Sequence, residues 1–247
     1  MYNGFAKLYD IFMEDIPYKK WASYIEKTLC SHNVPQDALL LDLACGTGTM
    51  SFLMAQKGYD MIGVDVSEDM LSEAYEKMYQ QNKRVLFLNQ NILNLDLYGT
   101  VDAAYCTCDA LNYLLTEEEF IKALSNVALF LNPKGIFIFD LKTDNKYRKM
   151  GNGTYNDIVD GASYIWKNHY DTDTYINEYH IQFFTKSNTD TNKSFEEVHR
   201  QRSYSICEVQ AFVKEAGFEM VSVQDNYTDN PANEESERVT YVISKPC

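Results

Sequence analysis

From Tyr18 to Asp140 the chain alternates short, continuously apolar runs with longer stretches whose apolar residues recur at helical spacing. Strands that are apolar on both sides, each followed by an amphipathic helix, belong in a mostly parallel sheet covered by helices on both faces. The helical stripes are Trp21, Tyr24, Ile25, Thr28 and Leu29; Met70, Leu71, Ala74, Tyr75 and Met78 behind an N-cap at Ser67; and Phe120, Leu124, Val127 and Leu131 behind a capping box formed by Thr116 and Glu119. The apolar runs are Leu39 to Ala44, Tyr59 to Val64, Val85 to Asn89 and Val101 to Thr107, then Ile136 to Phe139 after the turn Asn132-Pro133-Lys134-Gly135. The expected core is therefore a doubly wound α/β sheet.

Beyond Lys142 the period changes to two. Tyr164, Trp166, Asn168 and Tyr170 alternate with polar residues, as do Tyr175, Asn177, Tyr179, Ile181 and Phe183, with turn-rich stretches at Asp171 to Thr174 and Ser187 to Lys193. This pattern predicts a small antiparallel sheet inserted into the core. The core resumes with a capping box at Ser205 and Glu208, a helix bearing Val209, Phe212, Val213 and Ala216, and a stop at Gly217. Strands at about Phe218 to Gln224 and Arg238 to Ser244, joined by the acidic loop Asp225 to Glu237, complete it. The expected division is a core of residues 1–142 and 205–247 with a cap of residues 143–204.

Composition narrows the function. The 247 residues suffice for one large domain carrying an insertion, and 22 Lys+Arg against 36 Asp+Glu give a formal charge of −14. That field repels polyanions, which disfavours RNA or DNA as partner and points to a small molecule or protein. Lys186, Lys193, Arg200 and Arg202 are interspersed with acids and form no basic stripe. No apolar run approaches the roughly 18 residues of a membrane span, and Met1 to Asp10 lacks the layout of a secretory leader, so the expectation is cytoplasmic. The six cysteines are scattered without C-x-x-C pairs, and the four histidines lack metal-ligand spacing, so neither a disulfide framework nor a metal centre is expected. His180 or His199 could accept a proton, but both read more readily as exposed strand residues.

In a sheet of this kind ligands bind at the carboxyl ends of the strands, where strand order reverses. The first strand ends in Leu41-Asp42-Leu43-Ala44-Cys45-Gly46-Thr47-Gly48-Thr49. Gly46 and Gly48 let the backbone turn tightly and approach a ligand, and the next helix offers free N–H groups. A plain strand-to-helix connection would carry the same G-x-G. The context adds Asp65, nineteen residues beyond Gly46, where a carboxylate can accept both hydroxyl protons of a ribose. A pyrophosphate ligand calls for a third glycine where Ser51 stands, so the pattern favours a nucleoside over a dinucleotide.

The run Leu41-Asp42-Leu43-Ala44-Cys45-Gly46-Thr47-Gly48 followed by Asp65 resembles the class I S-adenosylmethionine-dependent methyltransferase family, and the resemblance extends along the core. It implies a Rossmann-like, mostly parallel seven-stranded sheet and S-adenosyl-L-methionine as cofactor. The inserted sheet and the segment Phe5-Ala6-Lys7-Leu8-Tyr9-Asp10 are similar to small bacterial members with an antiparallel cap, among them sugar-amine N-methyltransferases. The resemblance makes Asp42 the acid that opens the first motif and turns the loop of Gly46 and Gly48 toward the methionine part of the cofactor. Ala44 stands at the family's usual first glycine and brings one methyl group near that ligand. Asp65, with Val66 beside it, becomes the ribose ligand. Asn91 stands where many members carry an aspartate that binds the adenine amino group; its amide oxygen can accept the same bond, although an asparagine there can equally form a turn. Ile92 and Met70 would wall the purine.

The segment Cys106 to Tyr113 borders sulfonium and acceptor in this family. Asp109 is expected to contact the cofactor and, with Tyr9, to receive a proton during catalysis. Tyr9 and Trp21 are expected to cover the cofactor, Trp21 also lying on the apolar stripe of its helix. The implied reaction is methyl transfer by in-line displacement to nitrogen or oxygen of a small molecule, by a monomer or homodimer, without membrane or nucleic acid. A non-catalytic cofactor-binding module would have the loop from Asp109 to Tyr113 closed off from the cavity. A nicotinamide-dependent (NAD) oxidoreductase is disfavoured by Ser51 and by the antiparallel insertion.

Overall fold

The computed structural model describes residues 5–81, 83–159, 162–185 and 193–247. The chain starts with helices α1 (Phe5–Phe12) and α2 (Tyr18–Ser31), then alternates β1 (Leu39–Leu43), α3 (Thr49–Gln56), β2 (Asp60–Asp65), α4 (Glu68–Gln81), β3 (Leu86–Asn89), β4 (Val101–Cys106), α5 (Glu117–Phe130) and β5 (Leu131–Lys142). Helix α6 (Asp144–Met150) leads into β6 (Gly153–Val159), β7 (Ala162–Asp171), β8 (Ile176–Thr185) and β9 (Lys193–Arg202), and α7 (Ile206–Glu215), β10 (Glu219–Asp225) and β11 (Arg238–Ser244) finish the chain. The seven-stranded sheet has the order β10-β11-β5-β4-β1-β2-β3. Its β1, β2, β3, β4 and β5 pair in parallel, and β11 runs antiparallel between β5 and β10. Strand order therefore reverses between β1 and β4, and the carboxyl ends of those two strands open the crevice in which such sheets bind ligands. The doubly wound core and the separate four-stranded antiparallel sheet, ordered β6-β7-β8-β9, match the expected fold class.

Neighbouring residues of β1 serve opposite faces. Leu41 and Leu43 pack with Phe120, Val127, Phe139 and Phe212 beneath α5 and α7, whereas Leu40 packs with Trp21, Ile25, Leu29, Met54 and Tyr105 beneath α2 and α3. A strand buried on both sides must be apolar at every position, which is why β1 reads as a continuous run. Both capping boxes form as their spacing predicts, at Thr116 with Glu119 and at Ser205 with Glu208, and the Ser67 hydroxyl accepts from the Met70 N–H at 3.3 Å.

The structure differs from the sequence expectation at several elements. The turn expected at Asn132 to Gly135 is absorbed into a long β5, with Lys134 at φ 64° and a register shift against β4 between Val101 and Ala103. The irregularity re-aims the strand without ending it. Helix α6 and the outer strands β6 and β9 lack a clean two-residue alternation and were not expected as separate elements. The turn expected at Ser187 to Lys193 falls, except for Lys193 at the start of β9, outside the described residues, as does Lys186.

A cluster of buried charges fastens the second sheet to the first. Asp109, in the turn after β4, receives Arg238 of β11 at 2.7 Å, Lys142 of β5 at 3.0 Å and the Gln201 amide of β9 at 2.8 Å. Arg238 also pairs with Asp140 of β5, which accepts from the Tyr227 hydroxyl at 2.5 Å. Asn112 donates to the carbonyls of Lys142 at 3.1 Å and Arg202 at 2.8 Å, and accepts from the Lys142 N–H at 3.0 Å. Removing one member of such a set leaves a buried charge without its partner, at a cost of about 3–5 kcal/mol. Arg238→Met should therefore lower the midpoint of thermal unfolding followed by circular dichroism by about 10 °C. A shift under about 2 °C would show that the cluster contributes little to stability.

Candidate active site

The glycine-containing loop leaves β1 through three residues in the left-handed region, Ala44 (φ 55°), Gly46 (φ 54°) and Gly48 (φ 78°), and Gly48 forms the N-cap of α3. A side chain at Gly48 would also collide with the Phe87 ring, 2.9 Å from an added Cβ. Asp65, at the end of β2, holds this loop from the next strand. One of its carboxylate oxygens accepts from the Gly46 N–H at 2.8 Å and the other from the Ser67 N–H at 2.9 Å. Burial raises its pKa against the pull of those amides. Each oxygen retains a second lone pair, so the carboxylate is fixed in orientation while able to accept further hydrogen bonds.

Asp65 lines a cavity of about 440 Å³ at the carboxyl ends of the parallel strands, a volume within the roughly 300–1,000 Å³ typical of small-ligand sites. Of the residues the sequence singled out, the cavity brings together Tyr9, Ala44, Gly46, Asp65, Val66, Met70, Asn91 and Ile92. The Asn91 side chain accepts from the Leu93 N–H at 2.9 Å, so it forms the turn that was its other reading, with a second lone pair left on its oxygen. Apolar Met70 and Ile92 beside polar Asp65 and Asn91 make a surface that fits a nucleoside.

Four expected residues lie elsewhere. Asp42 is buried, with its carboxylate accepting from the Ser51 hydroxyl at 2.5 Å and burial pushing its pKa up to about 7. It braces α3 against β1, and the serine in place of a third glycine is its partner. Gly48 turns the backbone behind the cavity wall. Trp21 stacks on Tyr227, with ring centroids 4.7 Å apart, and lies 5.2 Å from the Arg238 guanidinium, so it belongs to the core and to the charge cluster. Asp109 sits at φ 53° next to Cys108 at φ 60°, a strained pair that aims its carboxylate away from the cavity lining. Burial would raise its pKa, but Lys142 and Arg238 overcome this and hold the carboxyl below the ordinary carboxylate range. A carboxylate so occupied is a poor proton acceptor, which corrects the catalytic assignment of Asp109. Tyr9 does line the cavity, but burial, reinforced by Cys108, Tyr18 and other groups nearby, raises its pKa and keeps the phenol protonated. It can donate or accept a hydrogen bond there, not act as an anionic base.

Sequence reasoning set His199 down as an exposed strand residue, with proton acceptance as its other reading, and the structure buries it. It is 7% exposed and lines the same cavity, with its Nδ1 3.1 Å from the Tyr113 hydroxyl. Its strand alternates Phe195, Glu197, His199 and Gln201 inward against exposed Ser194, Glu196, Val198 and Arg200. That polar inner face offers no hydrophobic periodicity to read. Gln90 and Thr107 also line the cavity, and only their places at strand ends could have suggested it. The half-exposed Tyr113 opens the loop from Asp109 onto the cavity, contrary to what a non-catalytic module would show.

A methyltransferase-domain family model matches residues 40–135. YqeM of Bacillus subtilis, a provisionally named methyltransferase, is 34% identical over 99% of this chain and 97% of its own length. The chain belongs to the class I S-adenosylmethionine-dependent methyltransferases. A solved member from Clostridium acetobutylicum superposes with a TM-score of 0.89 at 30% identity, covering 100% of this chain and 99% of the other. A sugar N-methyltransferase from Streptoalloteichus shares the fold with a TM-score of 0.79 at 18% identity, over 97% of this chain and 93% of its own. The cofactor of this methyltransferase is S-adenosylmethionine, and the crevice chemistry fits it. Asp65 offers lone pairs suited to ribose hydroxyls, Ile92 and Met70 offer apolar faces suited to a purine, and Ala44 and Gly46 line the cavity beside them.

The same loop generates a stability prediction. Left-handed backbone costs an L-residue such as Ala44 about 1–2 kcal/mol, against about 0.4–1 kcal/mol of extra unfolded-chain entropy for glycine. Ala44→Gly should therefore be neutral to stabilising, raising the melting midpoint by up to about 3 °C. Destabilisation by more than about 1 kcal/mol in urea unfolding would mean that the Ala44 methyl group makes packing contacts that outweigh the strain.

Proposed function

We propose that this methyltransferase transfers a methyl group to nitrogen or oxygen of a small-molecule acceptor in the cytoplasm, with residues 143–204 acting as the acceptor-side cap. S-adenosylmethionine supplies a methyl carbon on a positively charged sulfur that is already a good leaving group. The work left to the protein is to hold an acceptor lone pair in line with that carbon and to exclude water. Positioning at near-attack distance supplies about 7–11 kcal/mol of barrier reduction.

The observation that carries the reading is what walls the cavity opposite Asp65. Tyr9 comes from α1, Cys108 and Tyr113 from the segment after β4, and His199 from the second sheet. Phe12 packs on Tyr164 and Phe183 of the second sheet at 5.0 and 5.4 Å between centroids, and Asp10 pairs with Lys77 of α4 at 2.5 Å. A helix tied to both the core and the second sheet leaves an acceptor space suited to a small ligand, and the charge of −14 disfavours a polyanion there. The Streptoalloteichus neighbour with the same two-sheet layout acts on a sugar nitrogen, which supports an amine as the first acceptor to try.

The test incubates the protein with methyl-labelled S-adenosylmethionine and a panel of amino sugars, amino acids, phenols and an RNA oligonucleotide, with a metabolite extract alongside. The expected outcome is label on a small amine or hydroxyl compound and none on the oligonucleotide. Label on the RNA, or tight cofactor binding with no labelled product from the extract, would overturn the acceptor class.

A further inference from the structure

In the cavity beside Asp65 an acid–base pair bridges the two sheets. Tyr113, in the 3-10 turn Ala110–Tyr113 after β4, and His199, on β9, meet with ring centroids 5.8 Å apart and the hydroxyl 3.1 Å from Nδ1. Both line the cavity that also contains Asp65. We infer that Tyr113 and His199 form the proton-accepting relay of the reaction, and that the acceptor is an amine arriving as its ammonium ion. The inference rests on the methyltransferase reading above.

An ammonium has no lone pair to present to the methyl carbon, so a proton must leave before transfer. In the relay the acceptor N–H proton passes to the Tyr113 oxygen while the Tyr113 O–H proton passes to His199 Nδ1. The acceptor lone pair then forms the N–C bond as the C–S bond breaks, and that electron pair returns to sulfur as a thioether. The imidazole ends protonated and releases its proton to solvent after turnover. Asp109 cannot serve, because Arg238, Lys142 and Gln201 occupy its oxygens. Tyr9 alone would have to become a phenolate in a buried site that penalises one.

The surroundings keep His199 ready to accept. Burial lowers its pKa below the ordinary imidazole value, and the positive charge of Lys142 lowers it further. The other titratable groups around it are Tyr113 and Cys108 from the segment after β4, Tyr9 of α1, Glu119 at the start of α5 and its cross-strand neighbour Tyr179 on β8. Burial pushes the Cys108 thiol up to about 12, Tyr9 and Tyr179 are also raised, and Glu119 is engaged in the cap of α5. His199 is thus the group on this wall placed to change charge between neutral and mildly acid pH.

The test needs no known acceptor. Sinefungin carries an ammonium-bearing carbon where S-adenosylmethionine carries its methylated sulfur, whereas S-adenosylhomocysteine has an uncharged thioether sulfur at that position. The affinity of each is measured by calorimetry between about pH 5 and pH 8 for the full chain, His199→Asn and Tyr113→Phe, and the ratio of the two cancels effects common to both, such as titration of Asp65. With neutral His199 the ammonium is accepted; once the ring is protonated the two cations repel. The wild-type ratio should therefore shift against sinefungin by about tenfold on going from pH 8 to pH 5. In His199→Asn it should be flat; in Tyr113→Phe the pH shift should remain, while the ratio at pH 8 moves against sinefungin by about tenfold because the phenol oxygen that accepts the ammonium N–H is gone. A wild-type ratio that is flat, a pH-dependent ratio that persists in His199→Asn, or a pH 8 ratio unchanged in Tyr113→Phe overturns the relay while leaving the methyltransferase reading in place. Failure of the wild type to bind either compound overturns both.

Discussion

Two carboxylates and two cations meet, largely buried, between the sheets, and most of the site depends on how they neutralise one another. Asp109, Asp140, Lys142 and Arg238 come from the turn after β4, from β5 and from β11, and Gln201 and Tyr179 reach them from the second sheet. The charges sum to zero, and each has a partner within the cluster, which is what permits burial. The arrangement sets the distance between core and second sheet. It also removes Asp109 from proton chemistry and places the positive field of Lys142 near His199.

Across the crevice a second anion works differently. Asp65 is oriented by two backbone amides, those of Gly46 and Ser67, and its spare lone pairs suit uncharged donors such as sugar hydroxyls. The same contact joins the end of β2 to the loop after β1, so Asp65 and the glycine loop are held as one unit. Asp42 and Ser51 brace that unit from inside the protein. The cavity wall around Asp65 is thus built on the parallel sheet, whereas α1, the turn after β4 and the second sheet, elements that come from distant parts of the chain, supply Tyr9, Tyr113 and His199 to it.

This division explains how much could be read in advance. The parallel core was legible because two-sided burial forces continuous apolar runs at Leu39 to Leu43 and Ile136 to Phe139, and because helix caps such as Thr116 with Glu119 are local chemistry. The crevice residues Asp65, Ala44 and Gly46 were legible because they follow those strands directly. Asp109 was placed correctly at a strand end but misread in role, since its partners Lys142, Gln201 and Arg238 lie 33, 92 and 129 residues along the chain. Trp21 sits on a stripe that core packing and ligand contact would both explain, and only its stack on Tyr227 decides between them. His199 was read as exposed because β9 turns a polar face inward, so a buried histidine looks like any other strand residue in sequence.

The central claim is that the Asp65 carboxylate grips the cofactor's ribose. Isothermal titration of S-adenosylhomocysteine into wild-type protein and into Asp65→Ala tests it most directly, with thermal unfolding as a check that the variant is folded. Hydrogen bonds to a charged group contribute about 1.5–3 kcal/mol each, so losing two predicts affinity weaker by about a hundredfold or more. Folded Asp65→Ala protein that binds S-adenosylhomocysteine within about threefold of the wild type would contradict the account.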